Sequence, residues 1–386
     1  MQLSGLLGSA LSFVIRSVFK KTELPFLIVL NNKEEAAYYL NDLEQMIGEQ
    51  DVLFYPGSFR RPYQIEETDN ANVLLRAEVL NRINSRKKPA IIVTYPEALF
   101  EKVVTRKELD KNTLKVAVGD RISIDFINEV LFEYEFKRVD FITEPGEFSV
   151  RGGIVDVFSF SNDNPYRIEF FGDEVESIRT FDVATQLSIE TQKKITIIPN
   201  VENKFFQENR ESFLDYISAK TVIFIQNTED FLSQLDKQFG KAEEAFAKLS
   251  QEIKRSSPEQ LFLNQAEFIK RALDFSIVEL SSKAIFRTTK KFEFHIQPQP
   301  SFNKQFDLLL NNLNENHFNG YKNHLFCSND AQAKRFHDIF ETLDEANSEN
   351  IRKQYHTVVL PLFQGFIDEE NQITCYTDHQ IFERYH

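Results

Sequence analysis

A chain of 386 residues is too long for one ordinary core, so two or three domains are expected. Hydrophobic content of 42%, with 38 Phe, against 27% charged residues excludes a disordered chain, and a net charge of −14 works against a protein whose main task is to grip a phosphate backbone over a broad surface. Two cysteines without paired spacing, Cys327 and Cys375, and no leader or apolar run of membrane-spanning length place the expected location in a reducing cytoplasm, with no membrane partner.

The first element opens in GLLGSALS, Gly5 to Ser12. A phosphate-binding loop reads Gly, any four residues, Gly, Lys, then Ser or Thr, and leads straight into a helix. Gly5 takes the first place and Ser12 the last, Gly8 lies between them, and Ala10 and Leu11 stand where the second glycine and the lysine belong. A working loop needs glycine for a nest of amides and lysine as a point charge against the phosphates. Ala10 and Leu11 supply neither, and Lys20 and Lys21 lie about two to three helical turns further on, out of reach. On the residues alone, an ordinary helix start containing small residues is the simpler reading, and it too predicts no bound nucleotide.

Next come PFLIVLN, the amphipathic KEEAAYYLNDLEQMI, DVLFYPG, ANVLLRAEVLNRI and PAIIVTYPEALFEKVV. Strand and helix alternate, which is the rhythm of a parallel sheet covered by helices, and residues 1–112 read as one α/β lobe. Over 113–200 the rhythm changes. One helical stretch, SIDFINEVLFEYEF, precedes KRVDFI, EFSVRGGIVDVFSF, PYRIEFF, EVESIRTF and KKITIIP, divided by Pro145-Gly146, Asn162-Asp163-Asn164-Pro165 and Gly172-Asp173. Close strands with tight turns predict a small α+β domain built on an antiparallel sheet. In 201–386 the α/β character returns: TVIFIQN, a long polar helix over Thr228 to Lys254, a helix start at Ser257-Pro258-Glu259, HLFCSND with AQAKRFHDIFETL, then YHTVVLPL and NQITCYT.

Within PYRIEFF, alternation sets Tyr166, Ile168 and Phe170 on one face and Arg167, Glu169 and Phe171 on the other. The first face is apolar and should meet the core; the second mixes an aromatic with charges, the composition of an interface hot spot. Arg151 precedes Gly152-Gly153, expected to form a bulge that re-aims it. From pattern alone the simpler reading is a cross-strand Arg–Glu pair with Phe171 capping the sheet edge. Other chemistry is weakly written. His324 and Cys327 lie in an apolar run with no second ligand pair, so core packing is expected there rather than zinc. The acidic runs at Asp344 and Asp368 do not end an apolar strand as a magnesium-holding pair would, and the basic islands Arg60-Arg61, Arg86-Lys87-Lys88 and Lys290-Lys291 read as solvated faces.

The stretch from Glu147 to Asp182, EFSVRGGIVDVFSFSNDNPYRIEFFGDEVESIRTFD, resembles the N-terminal module of the bacterial transcription-repair coupling factors, Mfd, whose first three domains are similar to the excision-repair protein UvrB. The preceding GDRISIDFINEVLFEYEFKRVDFITEPG, the following ATQLSIE, YPGSFRRPYQIEETDNANVLLRAEVLNRI in the first lobe and GFIDEENQITCYTDHQIFERY near the end fit the same family. The resemblance implies an α/β fold of two degenerate UvrB-like phosphate-loop lobes, 1–112 and 201–386, with the small α+β domain 113–200 inserted between them. It implies that GLLGSALS is the relic of a nucleotide loop, with no catalytic residue, cofactor or metal in this chain. UvrB also carries a DNA-clamping hairpin, for which PYQIEETDNANVLL leaves little room. Above all, the family's contacts with the damage sensor UvrA, two arginines and a phenylalanine, fall on Arg151, Arg167 and Phe171, reversing the preference that pattern alone gives. The implied function is a UvrB-like scaffold, without ATPase activity, that recruits UvrA to stalled transcription. An active nucleotide-driven DNA enzyme, a weak DNA-binding lobe and a module that masks the same face in the resting protein are the alternatives. The family continues into an RNA-polymerase-binding domain, an ATP-driven DNA translocase and a C-terminal domain, so the chain is expected to be a fragment whose polymerase and DNA contacts lie in those other parts.

Overall fold

Runs such as Phe26–Val29 and Ile91–Thr94, apolar except for Thr94, are buried on both faces, as strands in the interior of a parallel sheet must be. The computed structural model, which describes residues 1–58, 70–85, 88–160, 162, 164–199, 210–248, 256–344 and 354–383, places both in a seven-stranded sheet. Its order is Lys291–Glu293, Gln2–Ser4, Ser276–Leu280, Val222–Gln226, Phe26–Val29, Ile91–Thr94, Val52–Phe54, and every pairing is parallel. The helices Ala10–Thr22, Lys33–Ile47 and Thr228–Ala247 turn Ile15, Phe19, Leu43, Phe231 and Leu235 into the common core. Lys33–Ile47 starts where its sequence says it should: the Asn32 side chain accepts the Glu35 amide at 2.9 Å, and Glu34 and Glu35 sit at the positive end of the helix dipole.

The chain leaves this sheet through Leu114–Ala117 and returns through Lys194–Ile197, which pair antiparallel with each other, so the inserted domain enters and exits side by side. Between them lie the helix Ile124–Glu133 and a six-stranded sheet in the order Ser188–Gln192, Glu174–Phe181, Tyr166–Phe171, Ile154–Val157, Glu147–Arg151, Lys137–Arg138, antiparallel except for the last pair. The expected fold class, α/β with a small antiparallel domain inserted, is the one present.

The segment after 200 contributes to three sheets, one of them only the short antiparallel pair of Arg210–Glu211 with Val103–Val104. Val222–Gln226, Ser276–Leu280 and Lys291–Glu293 interleave with strands from before residue 30, because helical crossovers free the order of a parallel sheet from the order of the chain. Ile296–Pro298, Lys322–Cys327, Tyr355–Val359, Phe366–Asp368 and Ile373–Thr377 form a separate mixed sheet, packed around Leu309, Leu313, Phe336, Phe340 and Tyr376. The two bodies meet through Ala10, Phe13, Phe326, Leu362 and Phe366, with the Phe13 ring edge-on to Phe366 at 5.8 Å. The polar helix expected to reach Lys254 runs over Thr228–Ala247, and residues 249–255 lie outside the described residues. No helix among the described residues is long and apolar enough to cross a membrane.

Candidate partner-binding face and the loop at the first helix

Alternation in Tyr166–Phe171 survives into the structure: Tyr166, Ile168 and Phe170 are buried, with Ile168 joining Phe148, Val155, Ile178 and the helix residues Ile127 and Leu131 in the core. Arg167, Glu169 and Phe171 take the opposite face, and the Phe171 ring is 82% exposed at the end of its strand, just before the tight turn at Gly172-Asp173. It caps nothing. The ladder shifts register between Glu169 and Phe170, a bulge that the sequence did not announce, whereas Gly152-Gly153 is not a bulge. Arg151 and Ile154 are Cα partners, so these glycines form the two-residue turn of a hairpin, with Gly152 at φ 59°, where a side chain would be strained.

A cross-strand Arg–Glu pair is present on this face, but it joins Glu169 to Arg179 and involves neither Arg151 nor Arg167. Arg167 lies opposite Asp156 on the neighbouring strand and donates Nε to Oδ1 at 2.7 Å and Nη2 to Oδ2 at 2.9 Å. Arg151 donates Nη2 to the same Oδ2, so one carboxylate, only 1% exposed, holds both arginines. The bond from Arg167 to Asp156 raises the guanidinium's affinity for its proton further still, against the opposing effect of burial. Glu169 is engaged by Ser177, whose hydroxyl donates at 2.6 Å, and by Arg179, and these bonds hold its carboxyl below the usual range. The Arg167 guanidinium lies over the Phe181 ring at 4.3 Å, and that of Arg151 over Phe141 at 5.1 Å. Sequence reading missed Asp156 and Phe141. The available signal for Asp156 was a lone charge inside the apolar run GIVDVF; nothing local marked Phe141.

The loop at the first helix looks inward. Gly5 and Gly8 have φ of 76° and 54°, and the helix Ala10–Thr22 buries Ala10, Leu11 and Ser12. Leu11 is packed into the core of the seven-stranded sheet. Against this loop lies the chain's own segment Phe363, Gln364 and Gly365. The Ser9 amide donates to Gln364 O at 3.0 Å, and the Gln364 amide donates back to Ser9 Oγ at 3.1 Å. Buried Asp42 accepts the Phe363 amide at 2.8 Å and the Ser12 hydroxyl at 3.2 Å, and Tyr39 donates to Gly8 O at 3.1 Å. The rings of Tyr38 and Phe363 stack at 3.5 Å. Burial pushes the Asp42 carboxyl above its ordinary range, with its hydrogen bonds opposing.

Among the described residues no group of three or more His, Cys, Asp or Glu is arranged to hold a metal. His324 faces His356, and Cys327 is buried with its thiol pushed up to about 12 by desolvation, which favours an uncharged packing residue over a thiolate ligand. Lys88, Lys290 and Lys291 are exposed. Arg60-Arg61, Arg86-Lys87, the acidic run just after Asp344 and the first part of PYQIEETDNANVLL lie outside the described residues.

Residues 114–203, the inserted domain, match the family model of the UvrB interaction domain. Over 218 residues the chain is 34% identical to the transcription-repair-coupling factor of Bacillus subtilis (strain 168), a stretch covering 56% of this chain and 18% of that protein. It is 30% identical over 204 residues to the transcription-repair-coupling factor of Rickettsia bellii (strain RML369-C), covering 53% and 18%, and 25% identical over 197 residues to that of Escherichia coli (strain K12), covering 51% and 17%. The matched stretch thus spans less than a fifth of the length of the curated relatives.

Proposed function

We propose that this chain, similar to transcription-repair-coupling factors over about half its length and carrying a UvrB interaction domain, is a UvrB-like scaffold that recruits UvrA in transcription-coupled repair. Residues 113–200 are the recruiting domain, and 1–112 with 201–386 carry it. The reading rests on one observation: Phe171 stands 82% exposed on the charged face of a sheet whose other face is filled, inside the region that matches the family model. Large aromatics are costly to leave in water and are enriched where interfaces bind most strongly. Arg151, Arg167 and Phe171 are the proposed UvrA contacts. In a titration of purified UvrA onto the 386-residue chain, Arg151→Ala and Phe171→Ala should each weaken binding by about 2 kcal/mol, roughly thirtyfold, with melting unchanged for Phe171→Ala and lowered but still cooperative for Arg151→Ala, which leaves buried Asp156 with Arg167 alone. Unaltered affinity in both folded variants would overturn the assignment.

The same scaffold works without nucleotide. Ala10 and Leu11 offer neither nest nor point charge, and Phe363–Gly365 supplies partners to the loop from within the chain. Calorimetric titration with MgATP should give no saturable heat at micromolar concentration; a saturable isotherm would refute this. Contacts with RNA polymerase, translocation on DNA and masking of the UvrA-binding face by other domains belong, in this reading, to parts of the longer relatives outside the present sequence, and the working compartment is the cytoplasm.

A further inference from the structure

The charged face of the inserted sheet contains a continuous row of five side chains: Phe181, Arg167, Asp156, Arg151 and Phe141. Ring, guanidinium, carboxylate, guanidinium and ring alternate, each within contact of the next. The row runs from a fully buried end, Phe181, to an exposed one, Phe141, which is 64% accessible. Exposure changes along it as well. Arg167 is 18% exposed, with Nε and Nη2 given to Asp156, Nη1 directed at Gln186 O and one face covered by Phe181, whereas Arg151 is 40% exposed.

Resting on the UvrA reading above, we propose that Phe141 is a further contact residue beside Phe171 and Arg151, and that Asp156 is a positioning residue that fixes Arg151, held in turn by Arg167, which does this in addition to its own contact. The chemistry follows from the row. A buried carboxylate stripped of one partner is costly, so Asp156 keeps both arginines in place. Arg167, anchored on Phe181, fixes Asp156 in turn, and Asp156 turns Arg151 outward over Phe141. An aromatic under a guanidinium restrains the cation while leaving its own far face apolar and wet. Within the row Arg151 and Arg167 share a single carboxylate, Asp156, so it carries one net positive charge on a chain of net charge −14. The complementary surface is an acidic patch that offers a carboxylate to Arg151 between apolar recesses for two flat rings.

The test is a set of UvrA titrations on the 386-residue chain, each paired with a melting curve. Phe141→Ala should weaken binding at least fivefold at unchanged melting temperature, and Phe141→Tyr should restore most of the loss. Asp156→Asn should weaken binding by a similar factor in the wild-type background but by less than about twofold when Arg151 is already alanine, a coupling that general destabilisation would not produce. Wild-type affinity in Phe141→Ala, with Arg151→Ala and Phe171→Ala both weakened, overturns this inference and leaves the UvrA reading standing. Full affinity in all three overturns both. Equal losses from Asp156→Asn in the two backgrounds remove Asp156 from the positioning role. Should Asp156→Asn lower the melting temperature, Phe141→Ala, an exposed truncation, decides the matter alone.

Discussion

At the start of the first helix the polar groups are turned inward, whereas across the inserted sheet they are turned outward. Ser9, Ser12, Asp42 and the Gly8 carbonyl all find partners within the chain, those of Ser9 and Asp42 on a segment more than three hundred residues away. On the sheet, Arg167 and Asp156 are paired, yet Arg151, Phe141 and above all Phe171 still reach solvent. The loop of phosphate-binding outline thus has Leu11 at the lysine position buried in the core and a peptide of the same chain taking up its hydrogen bonds. The sheet face leaves apolar area uncovered while its charges are already oriented.

The largest expected effect sharpens the difference between inward and outward side chains within one strand. Ile168 is fully buried and Phe171 is exposed, three residues apart. Ile168→Ala removes buried methyl groups and leaves a cavity, so it should lower stability by about 2 to 5 kcal/mol. Phe171→Ala should stay within about 0.5 kcal/mol of wild type, as surface substitutions do, while losing UvrA affinity. Denaturant midpoints of the two variants decide this, and a loss of stability in Phe171→Ala comparable to that in Ile168→Ala would mean that its ring is packed.

A smaller effect separates two glycines that share a backbone conformation. Gly8 and Gly152 have φ of 54° and 59°, so alanine is strained at both by about 1 kcal/mol. A Cβ on Gly152 meets nothing within 4 Å, while one on Gly8 comes to 2.9 Å from Gly365 O and 3.2 Å from Gln364 O. Backbone on both sides cannot yield as a side-chain tip would, so Gly8→Ala should cost about 1 to 3 kcal/mol more than Gly152→Ala. Thermal melts of the pair measure the difference. Equal losses would show that Phe363–Gly365 is not seated against the loop in solution.

What was legible in the sequence follows from how local each feature is. The facing of Arg167, Glu169 and Phe171 could be read because strand periodicity is a property of six adjacent residues. The partnerships of Arg167 with Asp156 and of Glu169 with Arg179 could not, because they depend on the register between strands, which turn geometry sets. The absence of the loop lysine is visible at position 11, but the seating of Phe363 on Asp42 joins residues 321 positions apart and leaves no local trace. Likewise, the inserted domain announced itself by its change of rhythm, whereas the interleaving of Val222–Gln226 between Phe26–Val29 and Ser276–Leu280 is a matter of sheet order, which composition does not carry.

The smallest expected effect concerns the charge at the centre of the inward-facing region. Burial raises the Asp42 carboxyl above its ordinary value, so the folded state holds the proton more tightly than the unfolded chain does. The sign then follows: Asp42 contributes most stability below the unfolded carboxylate's pKa, near 4, and that contribution is lost as pH rises through the raised folded value. Tyr39 beside it stays neutral in this range, its hydroxyl held high by burial and by the charges of Glu35 and Asp42. In Asp42→Asn, the amide oxygen can still accept the Phe363 amide, its nitrogen can donate to Ser12 Oγ, and nothing titrates. The stability of Asp42→Asn relative to wild type should therefore improve steadily from pH 4 to pH 7 in urea titrations. A difference that stays flat over that range would mean that water reaches Asp42, and that the loop is less closed against Phe363–Gly365 than the sheet face is open.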